Sequence, residues 1–84
     1  MNALQFHEEM GELIDVLCER RALNPLRLLL PHYPMHSGLT DEWADLAVAL
    51  KTVRVQHSKD LSERELNSVI SLQHAAENAL ELRS

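Results

Sequence analysis

The sequence predicts an all-α fold, a small helical bundle of three longer helices plus one short leucine-rich helix, completed by dimerisation. Apolar residues recur at helical spacing in three separate segments, which is the primary signal. Two glycines, three prolines and three aromatic residues (Phe6, Tyr33 and Trp43) leave too few turn formers for a domain of many short strands. A chain of 84 residues forms one core, so residues 1–84 are read as a single domain. A chain of this size buries only about 60–65% of its unfolded surface, which makes self-association an economical way to cover the rest.

The first helix is expected over about Asn2 to Leu23. Phe6, Met10, Leu13 and Leu17 fall within a narrow arc of it, with Ala3 and Ile14 on the edge of that arc. Asn2 is a candidate cap, and Arg20 and Arg21 sit where they suit the negative end of the helix dipole. Asn24-Pro25 stops this helix and opens a second, about Pro25 to Leu30, because proline at a first helical position has no amide to lose. Pro31 and Pro34 keep the second helix short, and residues 31–39 read as an irregular connection.

Thr40 is a good N-cap for the third helix, with Asp41 and Glu42 in its first turn and its end near His57. Trp43, Leu46, Ala47, Leu50 and Val53 form its main apolar stripe, and Ala44, Val48 and Val55 form a second one. A helix apolar on two sides is expected to be covered on two sides, which places it centrally. Ser58-Lys59-Asp60-Leu61 breaks the pattern. Ser62 and Glu65 then make a capping box, and Leu61 and Leu66 are spaced for a hydrophobic staple. Leu66, Val69, Ile70, Ala76 and Leu80 give the fourth helix its apolar face, to about Leu82.

Thirteen acids against eight bases give a formal charge of −5, which disfavours nucleic acid as a partner. The charge is uneven: residues 1–19 hold five acids and no base, while residues 20–84 hold eight of each. Glu8, Glu12, Asp15 and Glu19 form one stripe opposite the apolar one. Such a run ordinarily faces solvent, and its sharper reading is a docking surface for a basic partner or a symmetry mate. The bases Lys51, Arg54 and Lys59 are expected to pair with this acidic helix.

Little here points to chemistry. His32 and His36 are four apart, but Pro34 between them removes the helical geometry that would aim both at one metal. His57 falls on the main stripe of the third helix and reads as a partly buried core or cap histidine. The lone Cys18 closes no intramolecular disulfide, and Glu19 beside it disfavours the reactive thiolate, so it reads as an inert thiol. No nucleophile elbow or glycine-rich phosphate loop occurs. The chain is therefore expected to be non-enzymatic, with no cofactor and no metal. The acidic N-terminal stretch is unlike a signal peptide and no apolar run spans a membrane, so a cytoplasmic location is expected.

Two further faces stand out as interface candidates. Leu26, Leu28, Leu29 and Leu30 crowd a helix too short to bury them all against itself, and Leu26, Leu29 and Leu30 are the candidate contacts. Asn67, Ser71, His74 and Asn78 form a polar, uncharged stripe on the fourth helix, where exposed faces ordinarily carry Lys and Glu. The expected function is a small protein–protein interaction module, a regulator or adaptor acting through helix faces, as a homodimer. The competing expectation is a helix-turn-helix DNA-binding regulator using the third and fourth helices. Arg64 and Asn67 would then read bases, against repulsion of phosphate by Glu63 and Glu65.

Overall fold

The computed structural model describes residues 3–33 and 40–83. It is all-α: helices α1 (Ala3–Glu19), α2 (Leu23–Leu29), α3 (Thr40–Gln56) and α4 (Glu63–Arg83), with no strand among the described residues. Single 3₁₀ turns follow α2, at Leu30–His32, and precede α4, at Ser58–Asp60. The 21 residues of α4 make a rod of about 31 Å at the α-helical rise, so this helix sets the 35 Å long dimension of the molecule. A connection of only six residues, 57–62, folds α4 back along α3, and this pair forms the most extensive packing in the protein.

The core is built as the spacing of α1 dictates. Phe6, Met10, Leu13, Ile14 and Leu17 of α1 pack with Leu26 and Leu29 of α2. Trp43, Leu46, Ala47, Ala49, Leu50 and Val53 of α3 and Val69, Leu72 and Ala76 of α4 complete it. Trp43 is 5% exposed and meets Phe6 edge to face, with ring centroids 4.9 Å apart. Its indole N–H has no acceptor among the described residues. The aliphatic members supply burial without polar atoms, so nearly all their area contributes to stability.

Several boundaries depart from the sequence reading for local reasons. Helix α1 ends at Glu19 in a Schellman motif: Arg21 N–H donates to the Cys18 carbonyl at 3.1 Å and Ala22 N–H to the Leu17 carbonyl at 2.9 Å. Arg21 takes the left-handed conformation that closes this motif, with φ of 56° and no glycine to relieve it. Helix α2 begins at Leu23, two residues before Pro25, because any position in a first helical turn tolerates a missing amide. Pro31 does not end the chain's turning but lies within a 3₁₀ turn, and Pro34 and His36 fall outside the described residues. Thr40 is already helical, so the cap of α3 also falls outside them.

The two-sided cover expected of α3 is not found. Its main stripe is buried, but Val48 and Val55 on the second stripe are 64% and 62% exposed, because α2 and α4 both pack on the side that carries Trp43 and Leu50. On α4 the capping box forms as expected. Glu65 N–H donates to Ser62 Oγ at 3.1 Å and Ser62 N–H to Glu65 Oε1 at 2.9 Å. The buried face of α4 is nevertheless rotated from the predicted one. Leu72, Gln73 and Glu65 are inside, while Leu66 and Ile70 are only half-buried. The lack of a side chain at Gly11 makes room for Tyr33: a Cβ there would stand 3.0 Å from the Tyr33 hydroxyl, which lies across α1 and donates to the His7 carbonyl at 3.5 Å.

Candidate functional site

Helices α1 and α4 pack against each other and leave an open groove of about 910 Å³ between residues 9–16 of α1 and the first turns of α4. Two features of the sequence create it. Asn67, Ser68 and Ser71 form part of the α4 wall, and side chains this short leave the space in front of them unfilled. Opposite them α1 presents Glu9, Glu12 and Val16, the last 44% exposed, with Leu13 beneath. The groove is thus an apolar strip between the carboxylates of α1 and an α4 side that is charged at its first turn (Glu63, Arg64 and Glu65) and uncharged from Asn67 to Ser71.

Arg20, at the end of α1, binds Glu65 of the groove's lining. Its Nε donates to Glu65 Oε2 at 2.9 Å and its Nη2 to Glu65 Oε1 at 2.5 Å, and Nη2 also reaches the Asp60 carbonyl. The Arg20 hydrogen bonds hold the Glu65 carboxyl below the usual glutamate range, with the Ser62 amide assisting and burial opposing. The same bond to Glu65 raises Arg20 above its already high value. Glu65 is therefore a charged structural member, and its charge is cancelled locally. Among the described residues, the groove's remaining charges are Glu9, Glu12 and Glu63 against Arg64. None of these three carboxylates forms an ion pair with a described residue.

The structure sorts the residues singled out in the sequence. Glu8, Glu12, Asp15 and Glu19 are all exposed. Glu12 lines the α1–α4 groove, Glu8, Glu12 and Asp15 border a second recess beside Tyr33, and Glu19 lies outside both. Asn67, Ser71, His74 and Asn78 are likewise all exposed; the first two line the groove and the other two continue the same helix beyond it. Leu26 and Leu29 are core residues at 6% and 0% exposure and offer no surface, because α2 packs against α1 and α3 through them. Leu30 alone of the three remains outside, at 47%.

Arg54 does not pair with the acidic helix; its Nε donates to the buried Gln73 Oε1 at 2.9 Å. His57 is half-buried at the end of α3, with Nδ1 3.6 Å from Asp60 Oδ2. Cys18 is exposed. Among the described residues no group of three or more His, Cys, Asp or Glu is placed to hold a metal ion, and no helix is long and apolar enough to cross a membrane. Sequence reasoning missed Glu9, Val16 and Ser68 as groove residues. Glu9 lies off the acidic stripe and Val16 off the apolar one, so neither periodicity flags them. Comparison with protein-family models, curated proteins and solved structures finds no match to this chain.

Proposed function

We propose that the protein is a small, non-enzymatic interaction module, a regulator or adaptor whose α1–α4 groove receives a basic helical segment of a partner protein. One observation carries this reading. Part of the acidic face of α1 (Glu12) and part of the uncharged face of α4 (Asn67 and Ser71), singled out for separate reasons, line the same groove. Unpaired carboxylates steer a cationic segment toward the site, the Leu13–Val16 strip takes its apolar side chains, and Asn67 and Ser71 accept or donate at the far wall. The same carboxylates repel phosphate. Arg64, on which a DNA-reading α4 would depend, sits among them, so the protein-binding reading is better supported than the helix-turn-helix one. An exposed free thiol at Cys18 supports a reducing, cytoplasmic setting.

The test is site-specific photo-crosslinking in the source cell, with the crosslinking residue at Ser71 in one variant and at Val48 in another. The reading expects a defined heterologous adduct from Ser71, mapped to a Lys- or Arg-rich helical segment, and none of that species from Val48. The same adduct from both positions, or none from Ser71, overturns it.

A homodimer is the second element of the proposal. Val48 and Val55 are one heptad apart on the same face of α3 and both mostly exposed, with half-buried Ala44 and Thr52 beside them. Single exposed valines are ordinary, but an aligned pair on a helix is a seam that a second α3 would cover.

A further inference from the structure

We propose that the pole of the molecule opposite in charge to the groove binds an acidic peptide that carries an apolar side chain among its carboxylates. The end of α1, the start of α2 and the turn at Ser58–Asp60 converge there on one open recess. Arg20, Arg21, Arg27 and Lys59 border it, with Asp60 as the single acid among the described residues that line it. The chain has only eight bases among its 21 charged side chains, and half of them surround this recess. In a protein of formal charge −5, cations are readily neutralised by neighbours. Arg21, Arg27 and Lys59 are instead exposed and form no ion pair with a described residue. Three such cations against the one carboxylate of Asp60 leave a local positive excess, which favours an incoming anion.

The fold fixes where these cations start. Arg21 is held by the Schellman bonds that end α1, Arg27 stands on α2, and Lys59 on the 3₁₀ turn. Arg20 already makes a two-point bond to Glu65 that cancels its charge, so the free cations of the recess are Arg21, Arg27 and Lys59. Arg21 and Arg27 keep the planar donor forks suited to paired recognition of carboxylate oxygens. The apolar component of the ligand follows from Leu23. It is 59% exposed in the lining of the same recess, and an inorganic anion has no use for a leucine wall. Carboxylates flanking an aliphatic side chain match both features at once. This site does not depend on the groove reading, since it lies on other residues and selects the opposite charge.

The experiment titrates isotope-labelled protein with a synthetic peptide of glutamates flanking a single leucine, read by backbone amide shifts. The proposal expects saturable shifts at Arg21, Leu23, Arg27 and Lys59 that weaken as salt is raised. Arg27→Glu with Lys59→Glu should weaken binding by about tenfold or more, and Leu23→Ser by a few fold, with melting temperatures unchanged. A peptide with serine in place of leucine should bind as weakly to the parent as the leucine peptide does to Leu23→Ser. Absence of shifts at these residues at millimolar peptide overturns the proposal. So does inorganic phosphate producing the same shifts with equal affinity, which would make the recess a simple anion site.

Discussion

Arg20 and Glu65 lie 45 residues apart in the chain and tie the end of α1 to the first turn of α4 through two parallel hydrogen bonds. Glu65 is nearly buried while Arg20 is 42% exposed, so the pair is worth more than a surface ion pair and less than a fully buried one, about 1–3 kcal/mol. Glu65→Gln is the informative change, because glutamine at this position can still complete the capping box and only the ion pair is removed. The folded-state pKa of Glu65 is lowered. Its contribution is therefore complete above the ordinary value of 4.5 and is lost as pH falls through the lower folded value. Chemical denaturation across pH should show parent and Glu65→Gln separated by this amount at neutral pH and converging below about pH 4.5.

Arg21 adopts a conformation that glycine takes without strain. Arg21→Gly should stabilise the protein by about 0.5–1 kcal/mol, the relief of left-handed strain less the extra entropy of glycine in the unfolded chain. Thermal melting should show a rise of a few degrees, with the far-ultraviolet dichroism unchanged.

Trp43 of α3 is buried edge-on against Phe6 of α1. Trp43→Ala should cost about 3–5 kcal/mol, a large part of a small domain's stability. A denaturant midpoint close to that of the parent would contradict its place in the core.

The fold was legible where polarity and periodicity agree, and obscured where a polar side chain is buried with a partner. In α1 every position on the Phe6–Leu17 arc is apolar, and all of it is buried. In α4 the inward face holds Glu65 and Gln73 between Val69, Leu72 and Ala76, so a search for apolar spacing selects Leu66 and Ile70 instead. Those two polar residues are inside because Arg20 and Arg54 reach them from other helices, and partners 45 and 19 residues away leave no local signal. The capping box at Ser62 and Glu65 was readable because both of its bonds are local. The groove was half readable: its two walls show in the sequence as separate stripes, but not that they face each other.

Self-association through α3 predicts that sedimentation equilibrium at micromolar concentration gives a mass above the 9.6 kDa of one chain, rising with loading. Val48→Glu with Val55→Glu should return the monomer mass without loss of helicity, because both side chains are mostly exposed in the single chain and like charges repel across either orientation of the seam. A 9.6 kDa species throughout that range for the parent would contradict the dimer.

The groove itself is tested most directly by titrating isotope-labelled protein with a lysine- and leucine-bearing amphipathic helical peptide, for the parent and for Glu9→Lys with Glu12→Lys. The account predicts amide shifts concentrated at Glu12, Val16, Asn67 and Ser71, and binding at least about tenfold weaker in the double variant at low salt. Shifts centred on Val48 and Val55, or equal affinity for parent and variant, would contradict it.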